Sequence, residues 1–398
     1  MLYTVERLGQ KGDGLVRAGD IQLHVPKVLG GEDIDLVMGK LTRVVTPSPD
    51  RIDPFCRHYD RCGGCKFQHW AEAPYQNWKR NLLVDALAAQ NIKTEVAALL
   101  DAHGAGRRRV GLHVREVDGV WRAGFMEQKS HDLIALGECP VLVPALKRAA
   151  ELAASFGPSL GDCDVAVTAA DNGLDVSIKA ERKIVLRRLE ALNEIAARFD
   201  ILRLSVNGEV HTAKAVPHMN IGKALVTLPT TSFLQATTTG EATLARLVLE
   251  GVKPAKHVAD LFCGVGPFAL RMAEKAKVYA ADSDKPAIAA MHFALRNTQG
   301  LKPVDAQYRD LFREPLTPQE LKPFDAVVLD PPRAGAESQA KQLAKSQVKR
   351  VVLVSCDIAN FARDAAILVK GGYSLKTVTP VDQFKWTAHL EMAGVFTR

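Results

Sequence analysis

Cys356 follows the apolar run Val351, Val352, Leu353 and Val354 and precedes a helical pattern that starts at Ile358. An unbroken run of this kind is what a strand shows when both faces are covered, so the thiol stands at a strand's carboxyl end. In open α/β sheets that edge is where ligands bind. A free cysteine is more often a small buried apolar residue, and alone Cys356 would be read that way. Two neighbouring stretches favour chemistry. The apolar segment 324–329 ends in Asp330, Pro331, Pro332 and Arg333, whose prolines stiffen the turn and bring an acid and a base to the same edge. Upstream, 257–261 reads as a strand entering a turn with Gly264 and Gly266, and 277–281 as a second strand ending in Asp282. A glycine turn followed by a strand-terminal acid is a nucleotide-binding arrangement, the acid placed to accept hydrogen bonds from ribose hydroxyls.

A second constellation lies near the start. Cys56, Cys62 and Cys65 are separated by five and by two residues, with Gly63 and Gly64 inside the shorter gap. Thiolates so close, on a loop that can fold around an ion, are ligand chemistry, either zinc or iron-sulfur. Three ligands call for a fourth.

These elements imply an α/β fold, and their motifs carry a resemblance. The run Asp260 to Gly266, Asp330 to Gly335, Ser355 to Asp357, and Asp382 to Glu391 with Thr387 and His389 resemble the S-adenosylmethionine-dependent RNA uracil-C5 methyltransferases. The resemblance implies a Rossmann-like class I methyltransferase domain. It implies Cys356 as nucleophile and Glu391 as base. It implies cofactor contacts from Gln235, Phe262, Gly264, Gly266, Asp282 and Asp330, with Asp310 near the adenine. It also implies Cys139 as the fourth ligand, in a segment ending Pro140, Val141, Leu142, and a 4Fe-4S cluster on Cys56, Cys62, Cys65 and Cys139.

Three departures from the family pattern carry expectations. Pro267 stands where asparagine is frequent and removes a polar contact. Ala236 and Thr237 replace Val-Asn after Gln235. Asp357 replaces an asparagine beside the nucleophile, and its charge would raise the thiol pKa.

The elements that must position these groups span 398 residues, enough for two or three domains. Hydrophobic residues at 47% and charged residues at 24% are those of a soluble globular protein. No stretch is long and apolar enough to span a bilayer or serve as a signal peptide, and seven unevenly spaced cysteines favour metal or thiolate chemistry over disulfides. A cytoplasmic monomer is expected. Residues 1–45, with short strands between glycines and the Gly12-Asp13-Gly14 pattern, resemble a TRAM domain, a small OB-like β-barrel that binds RNA. Residues 46–228 are read as an α+β iron-sulfur central domain, and 229–398 as the methyltransferase domain. The stripe Tyr75, Trp78, Leu82, Leu83, Leu87 marks a helix whose aromatic residues pack, and Asn207 with Gly208 marks a hairpin turn.

A net charge of +7 suits a polyanionic partner, with Arg107 to Arg109 and Arg182, Lys183, Arg187, Arg188 as candidate phosphate contacts. The expected activity is formation of 5-methyluridine, in ribosomal RNA before transfer RNA; a non-catalytic iron-sulfur RNA-binding protein is the alternative from another class. A cytosine methyltransferase is disfavoured because Ser355, not proline, precedes the cysteine. Amino-group methyltransferases favour an aromatic residue where Arg333 stands.

Overall fold

The computed structural model describes residues 1–127, 130–182 and 185–398. The site is built on an eight-stranded sheet in the spatial order Val304–Tyr308, Lys277–Asp282, His257–Leu261, Ala326–Leu329, Arg350–Ser355, Glu391–Thr397, Ser374–Asp382, Leu100–Asp101. The first five strands are mutually parallel, and Glu391–Thr397 runs antiparallel to both its neighbours. From His257–Leu261 the chain first builds outward to Val304–Tyr308 and then returns to the other side with Ala326–Leu329. The crevice at this reversal is a topological switch point. Two apolar cores, one on each face, explain why 326–329 and 351–354 are apolar at every position and fully buried.

Part of this body comes from outside 229–398. Helix Glu72–Ala89 lays Leu83 and Leu87 into the core that also holds Leu353 and Phe361, and Leu100–Asp101 pairs in parallel with Val381 and Asp382. The hairpin His218–Ile221 with Ala224–Thr227 packs Met219, Ile221 and Val226 on the opposite face. Residues 72–101 and 218–228 pack with the catalytic sheet because their apolar faces have nowhere else to bury. The buried stripe of the helix is Tyr75, Lys79, Leu83, Leu87, so a lysine occupies a core position.

Most of the remaining central region forms a seven-stranded sheet with its own core, from Val110 to Val206. Asn207 and Gly208, both at positive φ, turn Ile201–Val206 back onto Glu209–Ala213. The N-terminal residues form two three-stranded sheets over a small core of Val5, Val16, Val25, Val28, Ile34 and Leu36. This unit is docked on the cysteine loop. The Arg51 guanidinium reaches the buried Glu32 at 2.5 Å, and Gly12, at positive φ, leaves the space that Phe67 fills.

Candidate active site

The antiparallel strand determines the centre of the site. Arg350–Ser355 ends where Glu391–Thr397 begins, with Ser355 opposite Met392, so Cys356 and Glu391 meet at one sheet edge although 34 residues separate them along the chain. Asp330 arrives at the same edge from the neighbouring parallel strand, its N–H donating to Leu261 O at 3.2 Å. The corner after it is closed by Gly335 N–H to Pro332 O (2.8 Å) and by Asn360 Nδ2 to Arg333 O (2.6 Å). The Asp357 carboxylate accepts the Asn360 N–H at 2.9 Å and caps helix Ile358–Lys370.

Burial, then the charges of Glu391 and Asp330, push the Cys356 thiol up to about 11, while Arg333 pulls it down. Glu391 is buried and is pushed up to about 8, first by burial and then by Asp330. Asp330 as a residue is only partly covered, but its carboxyl group lies deep, and burial followed by Asp282 raises it to about 7. Nearby Asp260 is fully buried; neither oxygen has a hydrogen-bond partner of normal geometry, and burial with Asp330 raises it well above the carboxylate range. Crowded acids with so little compensation suit a cationic ligand, as a sulfonium with its ammonium group would be.

Beside this edge the glycine turn is wound tightly. Phe262, Gly264 and Gly266 all have positive φ, and a Cβ on Gly266 would come within 2.9 Å of the Met291 methyl. Asp282 clasps the turn by accepting Gly264 N–H and Asp284 N–H, each at 2.8 Å. Phe262 packs against Phe312 at 5.4 Å between ring centres. Asp310 is turned to its own loop, accepting Phe312 N–H at 3.0 Å. Pro267, in the family's asparagine position, offers its carbonyl to Arg271 at 2.6 Å. Gln235 is buried and donates to Asp330 Oδ2 at 3.4 Å.

The loop from Asp382 to Glu391 is anchored from the other side. Buried Lys79 meets Asp382 Oδ1 at 2.7 Å, and Tyr75 Oη donates to Asp382 Oδ2 at 2.9 Å while accepting Trp386 N–H at 2.9 Å. Lys66 N–H donates to Trp386 O at 2.7 Å, and the indole packs against Phe55 and His103. Thr387 and His389 shape the loop internally through Thr387 Oγ1 to Phe384 O (2.7 Å) and His389 N–H to Thr387 Oγ1 (3.2 Å). The sequence reading missed Lys79, although its place four residues from both Tyr75 and Leu83 was the available signal.

Cys56, Cys62, Cys65 and Cys139 line one cavity of about 160 Å³, apart from the sheet edge. Gly64 N–H points at Cys62 Sγ at 3.4 Å. Among the described residues no three His, Cys, Asp or Glu side chains are close enough to hold a single metal ion. The thiols instead surround a larger space, and Arg107, which also lines it, has buried Nε and Nη2 groups without hydrogen-bond partners. A cluster with four thiolates, which is anionic overall, fits this donor set.

The expectation that Arg107 to Arg109 meet phosphates is corrected. Arg107 is at the cavity, Arg108 is buried against Glu241 at 2.6 Å, and Arg109 donates to Ser232 O at 3.2 Å. Arg182 and Arg187 are exposed, Arg188 is half-buried, and Lys183 lies outside the described residues.

This strand order, with acids gathered at its switch point, is that of a class I, S-adenosylmethionine-dependent methyltransferase. The family model for tRNA (uracil-5-)-methyltransferases matches residues 225–398. An RNA methyltransferase of Brucella suis is 44% identical, with 99% of this chain and 97% of that protein covered. The 23S rRNA (uracil(1939)-C(5))-methyltransferase of Edwardsiella ictaluri is 30% identical over 100% of this chain and 95% of its own length. The solved tRNA (uracil-54, C5)-methyltransferase of Pyrococcus abyssi, in complex with S-adenosyl-L-homocysteine, shares the fold, with a TM-score of 0.78 at 21% identity over 100% of this chain and 99% of that one. This chain belongs to the RNA uracil-C5 methyltransferase family. Among the described residues no helix is long and apolar enough to cross a membrane.

Proposed function

We propose that the protein makes 5-methyluridine in 23S ribosomal RNA, with Cys356 as nucleophile and Glu391 as base. The observation that carries the mechanism is the pairing that sets Glu391 beside Cys356 at the carboxyl edge. Carbon 5 of uracil is a weak nucleophile. Addition of the Cys356 thiolate to carbon 6 gives an enolate whose carbon 5 accepts a methyl group. S-adenosylmethionine, when bound, supplies that methyl. Glu391 then takes the carbon-5 proton, and the electron pair of that bond forms the 5,6 double bond and expels Cys356. Asp330 and Gln235 face the reacting base and the cofactor, while Phe262, Gly264, Gly266 and Asp282 form the cofactor's cradle. Asp310 is assigned to the adenine end. A uridine held between Cys356 and Glu391 must leave its stack, which costs least where it is unpaired.

The four cysteines are assigned a 4Fe-4S cluster that holds the central region together, on the strength of their shared cavity and the buried Arg107 Nε and Nη2 groups that lack hydrogen-bond partners. The N-terminal unit is read as a TRAM domain gripping flanking RNA, and the enzyme as a cytoplasmic monomer. Ribosomal RNA is preferred because the Edwardsiella relative aligns along nearly its whole length.

The test is to map 5-methyluridine in ribosomal and transfer RNA with and without the gene, and to look for a covalent complex with RNA carrying 5-fluorouridine. Fluorine at carbon 5 cannot leave as a proton, so elimination stalls. A mark that disappears from transfer RNA instead would reassign the substrate, and a Cys356→Ala protein that still methylates would end the proposed mechanism.

A further inference from the structure

Gln383, between the proposed base and the acid at the sheet edge, has no role in the mechanism so far. It is fully buried, and every polar atom of its carboxamide is engaged. The oxygen accepts Thr237 N–H at 3.4 Å, at the start of helix Thr238–Gly251, whereas Nε2 donates to Gln235 Oε1 at 2.7 Å and to Glu391 Oε1 at 3.2 Å. The orientation of the amide follows from these partners. A backbone N–H only donates, so the oxygen must face Thr237 and the NH₂ group must face the other two. Gln235, receiving at its own oxygen, is left with its NH₂ toward Asp330, which accepts at 3.4 Å. One amide therefore orders a chain from Glu391 through Gln383 and Gln235 to Asp330. The helix makes room for it. A Cβ at Gly240 would stand 2.6 Å from Gln383 Oε1 and 2.8 Å from its Cβ.

We infer that Gln383 is a positioning residue for the last step, fixing Glu391 by the hydrogen bond it donates. The inference rests on the assignment of Cys356 and Glu391 made above. In that step Glu391 takes the carbon-5 proton, the carbon–hydrogen pair becomes the 5,6 double bond, and the pair of the carbon 6–sulfur bond leaves with Cys356 as thiolate. An N–H aimed at Glu391 favours its ionised form, the form that accepts the proton. Addition of Cys356 and capture of the methyl group do not use that bond, so Gln383 acts after both.

The experiment compares the full-length protein with Gln383→Met, which keeps the volume and removes both donors, and with Gln383→Glu, which keeps the shape. Each is mixed in a single turnover with S-adenosylmethionine and RNA containing either uridine or 5-fluorouridine. Both variants are expected to form the methylated adduct on the fluorinated RNA at the wild-type rate, which also reports an intact fold. On ordinary RNA the covalent complex should accumulate, with release of 5-methyluridine slowed on the order of tenfold, the loss expected for one hydrogen bond to a charged group. The pH limb of the release step should move upward. Release at the wild-type rate, or loss of adduct formation together with release, overturns the inference. Absence of any adduct in the wild type overturns the Cys356 assignment instead, so the two failures are distinguishable.

Discussion

The cysteine cavity and the sheet edge both hold buried thiols that burial raises, but their neighbours differ: carboxyl groups at the edge, other thiols in the cavity. At the edge, Cys356 lies among carboxyl groups, with Glu391 and Asp330 raising it and Arg333 lowering it. In the cavity, Cys65 and Cys139 lie among other thiols and near Arg107, whose buried N–H groups lack partners. The first environment suits a cationic ligand and a thiol that gives up its proton only when chemistry requires it. In the second, burial pushes Cys65 up to about 12 and raises Cys139 as well, so these sulfurs would become thiolates only on binding a metal centre. Residue type alone does not separate a nucleophile from a ligand; the company of three further thiols in one cavity, or of two carboxyl groups at a sheet edge, does.

Exchanging the sulfur is the strongest way to break this contrast. Cys356→Ala should reduce methylation to background and abolish the adduct with 5-fluorouridine RNA, while leaving iron content unchanged. Glu391→Gln should instead trap the covalent complex on ordinary RNA, seen as a slowly migrating protein–RNA band. Cys65→Ser or Cys139→Ser should remove visible absorbance, iron and sulfide from anaerobically purified protein and leave S-adenosylmethionine binding, followed by calorimetry, close to wild type. Zinc without sulfide in the wild-type protein would refute the cluster assignment.

The loop that joins the two regions should respond next. Lys79→Met leaves Asp382 buried without its cation, which costs about 3–5 kcal/mol. A lower melting temperature should result, and turnover should fall more than cofactor affinity. The smallest effect is that of pH. Glu391 works only as the carboxylate, so the release step should quicken by about tenfold per pH unit below its pKa and level off above it. With burial holding that pKa near 8, the limb should lie well above that of an ordinary glutamate. Saturating cofactor, bringing positive charge, should move it down. A flat profile from pH 6 to 9 for single-turnover release of 5-methyluridine from the covalent complex would contradict the environment described for Glu391.

Some features were readable because their causes are local. An unbroken apolar run ending at Ser355, a turn that needs Gly264 and Gly266 at positive φ, a corner stiffened by Pro331 and Pro332, and thiols two residues apart all carry their geometry within a few neighbours. Other features depended on partners far along the chain. Arg107 to Arg109 look like a surface patch in sequence, but Arg107 lines the cysteine cavity and Arg108 is buried against Glu241, 133 residues away. Helix Glu72–Ala89 reads as part of the cysteine region, and it packs on the catalytic sheet because its apolar stripe finds cover there.

By itself the sequence determined the strand ends, the turns and the reactive residue types. Tertiary structure alone decided which of them meet. Glu391 reaches Cys356 only because the last strand pairs antiparallel. Lys79 is tolerable in the core only because Asp382, 303 residues away, accepts its charge. Gln383 has a direction only because Thr237, Gln235 and Glu391 surround it. The physical reason is that a buried polar group must be satisfied by whatever the fold brings to it, and chain spacing does not encode that encounter.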